Sequence, residues 1–190
     1  VVISVLNPWS LASESPMRDA MEWDDDYGTW RTTSLTKFTV IDVTNRSLPD
    51  VERELYIEGN YITAREVNGT VRTVTHAWMD VSGLQSWLNL PSGYWNLGTD
   101  DPLRVEIREK LAYEAMISNA ETLALLSLED LVPQVYEYAD GQVITHSMTD
   151  EACSDFVAPE DGMNRGISSI FMLELTSEQF SFEVDHVVGT

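Results

Sequence analysis

The sequence predicts a mainly β protein (α+β by content): an antiparallel β-sandwich or jelly-roll-like fold with one long helix. Asn68-Gly69 and Asp140-Gly141 each join two strand-like runs, and such pairs supply the two positive-φ positions of a type I′ hairpin turn. Residues 179–188 alternate apolar and polar side chains, as a half-buried antiparallel strand does. Only residues 102–126 have the length and apolar spacing of a long helix. A chain of 190 residues is long enough to bury a core.

The N-terminal part is predicted to form a strand and an arm, residues 1–30, ahead of a single β-rich domain, residues 31–190. Residues 1–6 are mostly β-branched and suit an edge strand, within this chain or added to a neighbour. Ser15-Pro16 suits the start of a short helix. Large aromatic rings need burial, so the arm either covers the end of this domain's core or docks on another subunit. The tryptophans of the arm, all interface candidates, are Trp9, Trp23 and Trp30.

Two strand-like stretches, residues 32–44 and 53–67, follow the arm. Gly59 interrupts the second stretch and suits a bulge. The chain then enters the Asn68-Gly69 hairpin, whose two-residue turn fixes the register of the strands on either side.

The register of this hairpin places Arg65 opposite Arg72 and Tyr61 opposite His76. Like charges directly opposite each other are unfavourable on a sheet. We therefore expect the arginine pair to face carboxylates, which belong either to the same chain or to a neighbouring subunit. This makes Arg65 and Arg72 interface candidates.

An aromatic, turn-rich segment covers residues 82–99, and its Trp87–Trp95 part suits either a ligand platform or the closure of a core. Asp101 is a natural N-cap for the long helix, with Pro102 in its first turn. Leu103, Ile107, Leu111 and Ala115 are spaced to form its apolar face.

The C-terminal third is predicted to return to strands. A second hairpin covers residues 135–146 around Asp140-Gly141. A polar, acidic loop occupies residues 147–166, and two runs, 167–175 and 179–188, end the chain.

Charge is the most unusual property of the sequence. There are 32 acids against 11 bases, a net charge of −21, and Lys37 and Lys110 are the only lysines. Self-repulsion of this size destabilises a compact state unless salt screens it. The composition is typical of a protein from a high-salt environment; an acidic mesophilic protein, or one from a GC-rich genome, is the alternative. No basic stripe suggests binding to free nucleic acid, and no apolar run is long enough to span a membrane.

No residue pattern indicates catalysis, a cofactor or a metal. Glycine-rich nucleotide loops, nucleophile elbows and zinc motifs are absent from the sequence. Cys153 is the single cysteine and suits a buried or incidental thiol. The three histidines, each in a predicted strand, lack ligand spacing, and Asp24-Asp25-Asp26 lacks the pattern of a calcium loop. We therefore expect no catalytic, cofactor-binding or metal-binding residues and no identified small-molecule ligand.

Two functions fit these features. The first is a non-enzymatic structural subunit, a capsid or tail protein in the virion of a halophilic archaeal virus, which binds copies of itself and other subunits. Its location would be a virion or extracellular assembly at high salt. The fold-level analogy is to jelly-roll capsid or tail-tube proteins. The second is a small halophilic enzyme or ligand-binding β domain, with an aromatic pocket around Trp87–Trp95 and His76. The chain begins at Val1, so we expect that a start Met or a longer precursor was removed.

Overall fold

The computed structural model describes residues 1–26, 28–29, 31–78, 81, 83–149, 156–158, 160, 166–174 and 180–189. Its helices and strands confirm the mainly β prediction with one long helix. In chain order they are β1 (Val2–Leu6), α1 (Pro16–Ala20), β2 (Leu35–Asp42), β3 (Asp50–Glu58), β4 (Asn60–Val67), β5 (Thr70–Trp78), α2 (Pro102–Leu125), β6 (Val135–Ala139), β7 (Gln142–His146), β8 (Phe156–Val157), β9 (Gly166–Glu174) and β10 (Ser181–Val188). Short 3-10 helices lie at Pro8–Ser10 and Tyr94–Asn96.

The described residues group into two compact units. The first contains residues 1–80 and 131–190, and therefore includes the predicted arm, 1–30; the second contains residues 81–130. All ten strands belong to the first unit, whereas α2 belongs to the second. No helix among the described residues is long and apolar enough to cross a membrane.

The strands of the first unit form two five-stranded sheets. The first sheet has the order β1-β2-β3-β6-β7, and the second has the order β4-β5-β9-β10-β8. Neighbouring strands are antiparallel, except that the short β8 runs parallel to β10. Each sheet is therefore assembled from separate parts of the chain.

Gly59 is the point at which the chain leaves the first sheet and enters the second. It lies between β3 and β4 with a φ of +113°, a backbone conformation that residues other than glycine rarely adopt. Its N–H donates to the Ser34 carbonyl (2.8 Å), and its carbonyl accepts from the Thr36 hydroxyl (3.0 Å). The predicted strand 53–67 is thus two strands in different sheets, joined by this corner.

The inner faces of the two sheets contribute to one hydrophobic cluster. Phe38, Leu55 and Ile57 come from the first sheet, and Phe171 and Leu173 from the second. A second cluster lies on the opposite face of the first sheet, where Tyr56 and Tyr136 pack against Met17 and Met21 at α1. Part of the N-terminal arm therefore covers the first sheet of its own domain.

Both predicted hairpin turns are present. Asn68 and Gly69 have φ of 55° and 86°, and Asp140 and Gly141 have φ of 51° and 78°. These consecutive positive values are those of type I′ turns. The long helix also begins as predicted, because the Asp101 carboxylate accepts a hydrogen bond from the Leu103 N–H (2.9 Å).

The predicted apolar face of α2 is only partly buried. Ala115 is buried, whereas Leu103 is exposed. More than half of the surface of Val105 and Met116, on another side of the helix, is exposed as well.

Candidate interaction surface

The second sheet has a buried face and an exposed face. On β5 the side chains of Val71, Thr73, Thr75 and Ala77 are buried, and those between them point outward. The same alternation on β9 leaves Ile170 42% exposed. We call this outward side of β4, β5, β9 and β10 the outer face. In the first sheet, α1 packs against part of the outward side, whereas Ile170 at the centre of the outer face is exposed to solvent.

Strand pairing aligns the outer face in rows that run across the sheet. One row contains Arg65, Arg72, Met172 and Glu183, from β4 to β10. The adjacent row contains Thr63, Val74, Ile170 and Asp185 in the same strand order. In these two rows, basic side chains therefore lie on the β4–β5 half, apolar side chains in the centre and acidic side chains on β10. In the next row, β9 also carries an exposed acid, Glu174.

The predicted Arg65–Arg72 pair is confirmed, because these residues are direct cross-strand partners. Both are exposed. Within the described residues, neither guanidinium forms an ion pair with a carboxylate. The nearest acid in their row, Glu183, is separated from Arg72 by Met172 on the intervening strand.

The predicted Tyr61–His76 pair is wrong. A register shift between Tyr61 and Thr63 places Asn60 opposite His76 and Tyr61 opposite Thr75. The extra residue, Ile62, bends the strand close to the Gly59 corner.

Two of the three tryptophan candidates of the arm, Trp9 and Trp23, form a small aromatic cluster within the first unit. The rings of Trp9 and Trp23 meet edge to face at a centroid distance of 4.7 Å. The Arg18 guanidinium lies 4.3 Å from the centre of the Trp23 ring. Trp9 remains 55% exposed, and Trp30 lies outside the described residues. The role of these tryptophans at an interface stays a prediction.

A buried ion pair that the sequence did not indicate lies beside the Gly59 corner. The Arg31 Nε donates to Glu58 Oε1 (3.0 Å), and the Tyr136 hydroxyl donates to the same oxygen (2.7 Å). The Gln134 N–H donates to Glu58 Oε2 (2.9 Å). Burial opposes the charge of Arg31, but the adjacent Glu58 carboxylate raises its pKa nonetheless. Both Glu58 oxygens therefore have partners within the first unit.

The three histidines occupy separate places in the fold. The His146 Nε2 lies 3.0 Å from Glu137 Oε2, and the His76 Nδ1 lies 3.2 Å from the Ser168 hydroxyl. His186 is fully buried, with Nδ1 2.9 Å from the Ser169 hydroxyl and Nε2 3.3 Å from the Met148 carbonyl. No three metal-ligating side chains come together in the part of the chain that the structure describes. Cys153 falls outside that part.

The aromatic segment Trp87–Trp95 lies in the second unit, whereas His76 lies in the first. Trp87 and Trp95 are each 70% exposed. Tyr94 is buried, and Arg104 lies 4.7 Å from the centre of its ring. A hydrogen bond from Arg104 lowers the pKa of the Tyr94 phenol. A shallow depression nearby is lined by Leu88, Val105, Arg108, Glu109 and Ala112.

The sequence matches the family described as "Beta propeller domain" over residues 9–190, nearly the whole chain. The chain belongs to this β-propeller-domain family. β-Propellers repeat four-stranded sheets radially, typically about four to eight of them. The described residues of this member form two sheets of five strands. Family membership thus supports the β-rich prediction and points away from a jelly roll or closed barrel. No curated protein and no solved structure matches the chain.

The sequence did not indicate that Glu183 and Asp185 share a sheet face with Arg65 and Arg72. The alternation of residues 179–188 indicates that Glu183 and Asp185 face away from the core. Nothing in that pattern indicates that β9 pairs with β5 on one side and β10 on the other, which brings these acids onto the face that carries Arg65 and Arg72.

Proposed function

We propose that this β-propeller-domain chain is a non-enzymatic assembly subunit that binds other copies of itself, and other subunits, through its outer face. The observation that carries the proposal is the exposed, organised outer face, with its apolar centre between charged strands. Sheets are stable when an apolar face is buried against another layer. A partner that packs on the outer face would supply that layer.

Several buried polar groups among the described residues of the first unit have partners inside that unit. The Glu58 carboxylate accepts hydrogen bonds from Arg31 and Tyr136. Both ring nitrogens of His186 lie within hydrogen-bond distance of partners in the same unit. These groups act as structural supports for the two sheets. The cluster shared by the inner faces further supports a sandwich arrangement of the sheets, in which the outer face points away from the shared core and is open to a partner.

In its narrower form, the proposal is that the assembly is a virion, a capsid or tail of a virus from a halophilic archaeal host. Its support is compositional: a net charge of −21 with only two lysines suits a surface that is hydrated at high salt. The assembly proposal does not depend on this narrower form, since the outer face is a property of the folded chain.

Sedimentation equilibrium of the purified chain in molar NaCl tests the proposal. Between micromolar and millimolar protein, the average mass is expected to rise above the monomer mass of 21.4 kDa. A constant mass of 21.4 kDa over the whole range would remove self-assembly from the proposal. The same samples in low salt provide a comparison, because long-range repulsion between two acidic chains is then larger.

A further inference from the structure

We propose that two copies of this chain pair outer face to outer face, related by a twofold axis that runs parallel to the strands of the second sheet. The inference rests on the proposed function and specifies its partner and geometry. It follows from the distribution of charge across the outer face and from the symmetry that such a distribution allows.

The outer face is electrostatically divided along the direction that crosses its strands. Arg65 and Arg72 lie on β4 and β5, whereas Glu183 and Asp185 lie on β10. All four side chains are exposed. Met172 and Ile170 on β9 separate the two halves. The β4–β5 side is therefore basic and β10 is acidic, while β9 between them also carries the exposed acid Glu174 in the row next to Met172.

A twofold axis parallel to the strands makes this division self-complementary. When one face is turned over onto the other about such an axis, the β4–β5 side of each copy lies over the β10 side of its partner. The arginines of each copy then approach Glu183 and Asp185 of the other. The twofold rotation therefore pairs opposite charges at both ends of the interface. Two-fold interfaces are of this kind, with the same patch used on both subunits.

Other face-to-face twofold arrangements are opposed by the same charges. An in-plane axis perpendicular to the strands would place β4 and β5 of one copy over β4 and β5 of the other. Arg65 and Arg72 would then face their own counterparts, and Glu183 and Asp185 would do so at the other edge. Like charges brought together across an interface are costly. The charges of Arg65, Arg72, Glu183 and Asp185 therefore favour the axis parallel to the strands, although the two copies of Glu174 on β9 would lie near each other across it.

The apolar centre provides the packing contact. Ile170, 42% exposed, lies between Val74 and Asp185 in its row, next to Met172 in the adjacent row. The four strands of the outer face, about 4.8 Å apart and about eight residues long, give a face of about 500 Å² per copy. Stable interfaces bury about 800 Å² per partner, so we expect a weak dimer that forms at high protein concentration.

Two charge-reversed chains test the geometry. Arg65→Glu/Arg72→Glu makes the outer face acidic throughout, and Glu183→Arg/Asp185→Arg makes its charged edges basic throughout. Because all four positions are exposed, circular dichroism and melting should show that both variants fold. Each variant alone is expected to self-associate at least tenfold more weakly than the wild type by sedimentation equilibrium, since like charges now oppose each other across the axis. Mixed in equal amounts, the two variants should form a heterodimer.

The control Arg46→Glu/Lys110→Glu carries the same change in net charge as Arg65→Glu/Arg72→Glu, at two exposed positions that are not part of the outer face. It is expected to associate like the wild type, apart from the general effect of added negative charge. If the wild type associates and the reversed chains behave like this control, or if the mixture fails to associate, the twofold pairing is overturned while self-assembly stands. A wild type that stays monomeric would overturn both.

Discussion

Two buried tyrosines on the first sheet connect its packing to a measurable pH dependence. Burial is the main factor that raises the pKa of Tyr136 well above its usual value, and the neighbouring Glu58 carboxylate adds to it. Burial likewise raises the pKa of Tyr56, together with its hydrogen bond to Glu54 (2.6 Å). Both phenols lie in the cluster covered by α1, so their ionisation reports whether this cluster stays closed.

We predict that the free energy of unfolding is independent of these tyrosines below about pH 10 and falls above it. The unfolded chain releases both protons near that pH, whereas the folded chain retains them, so higher pH favours the unfolded state. Each tyrosine contributes a slope of up to about 1.4 kcal/mol per pH unit. Urea unfolding at several alkaline pH values measures this slope.

The variant Tyr136→Phe provides the comparison for the alkaline slope. The variant lacks one of the two phenol protons that the folded chain retains and the unfolded chain releases. The decrease in the free energy of unfolding per pH unit should therefore be roughly half that of the wild type. The comparison concerns slopes, because the absolute stability also changes when the Glu58 hydrogen bond is lost. An identical slope in the variant and the wild type would show that Tyr136 does not hold its proton in the folded state.

At the scale of the elements, the Gly59 corner determines which sheet the chain builds next. A Cβ at this position would lie 2.8 Å from the His76 carbonyl oxygen, a backbone atom that cannot swing away. We predict that Gly59→Ala lowers the free energy of unfolding by about 2–4 kcal/mol, because the positive φ and this contact both oppose the new methyl group. Thermal and urea unfolding measure the change.

Gly93→Ala is the matched control for the corner. Gly93 has a φ of −80°, and nothing would lie within 4 Å of its added Cβ. Its stability should stay within about 0.5 kcal/mol of the wild type, as for most surface substitutions. Equal stabilities of the two alanine variants would mean that the corner at Gly59 is not strained by a side chain.

The hairpins show how far local sequence determines an element. A two-residue turn fixes the strand register next to it. The pairing of Arg65 with Arg72 could therefore be predicted from Asn68-Gly69 alone. Farther from the turn the register was wrong, because the bulge at Ile62 leaves no local signal in the sequence. The Arg31–Glu58 pair was not predicted either, since its partners lie 27 residues apart and meet only after the sheets form.

At the scale of the whole molecule, the sequence predicted β-rich architecture but not the order of strands. Alternation identifies which side of a strand is buried, whereas the pairing of β5 with β9 depends on contacts between segments almost a hundred residues apart. The outer face could not be assembled without that order. From the sequence, the basic side of the outer face was recognised only as the Arg65–Arg72 pair, and its acidic side only as the polar side of the strand at residues 179–188.

The acidic surface makes overall stability dependent on salt. We predict that the melting temperature rises as NaCl is increased from about 0.1 M to 1 M and above, because the Debye length falls from about 10 Å to about 3 Å and repulsion among 32 acids is screened. Glu109→Lys/Glu121→Lys reduces the net charge at exposed helix positions, and its melting temperature should rise less steeply with salt. A melting temperature that does not change with NaCl concentration would contradict the high-salt interpretation.

Ile170, at the centre of the outer face, provides the most direct test of whether copies of this chain associate through that face. Ile170→Asp places a charge on an exposed position, so the monomer should fold, while the apolar contact between copies is lost. Leu48→Asp makes the same type of change at a loop residue that is 74% exposed. In sedimentation equilibrium at molar salt, Ile170→Asp should remain at 21.4 kDa where the wild type and Leu48→Asp exceed it. Association of Ile170→Asp at the strength of the wild type would show that copies do not meet at this face.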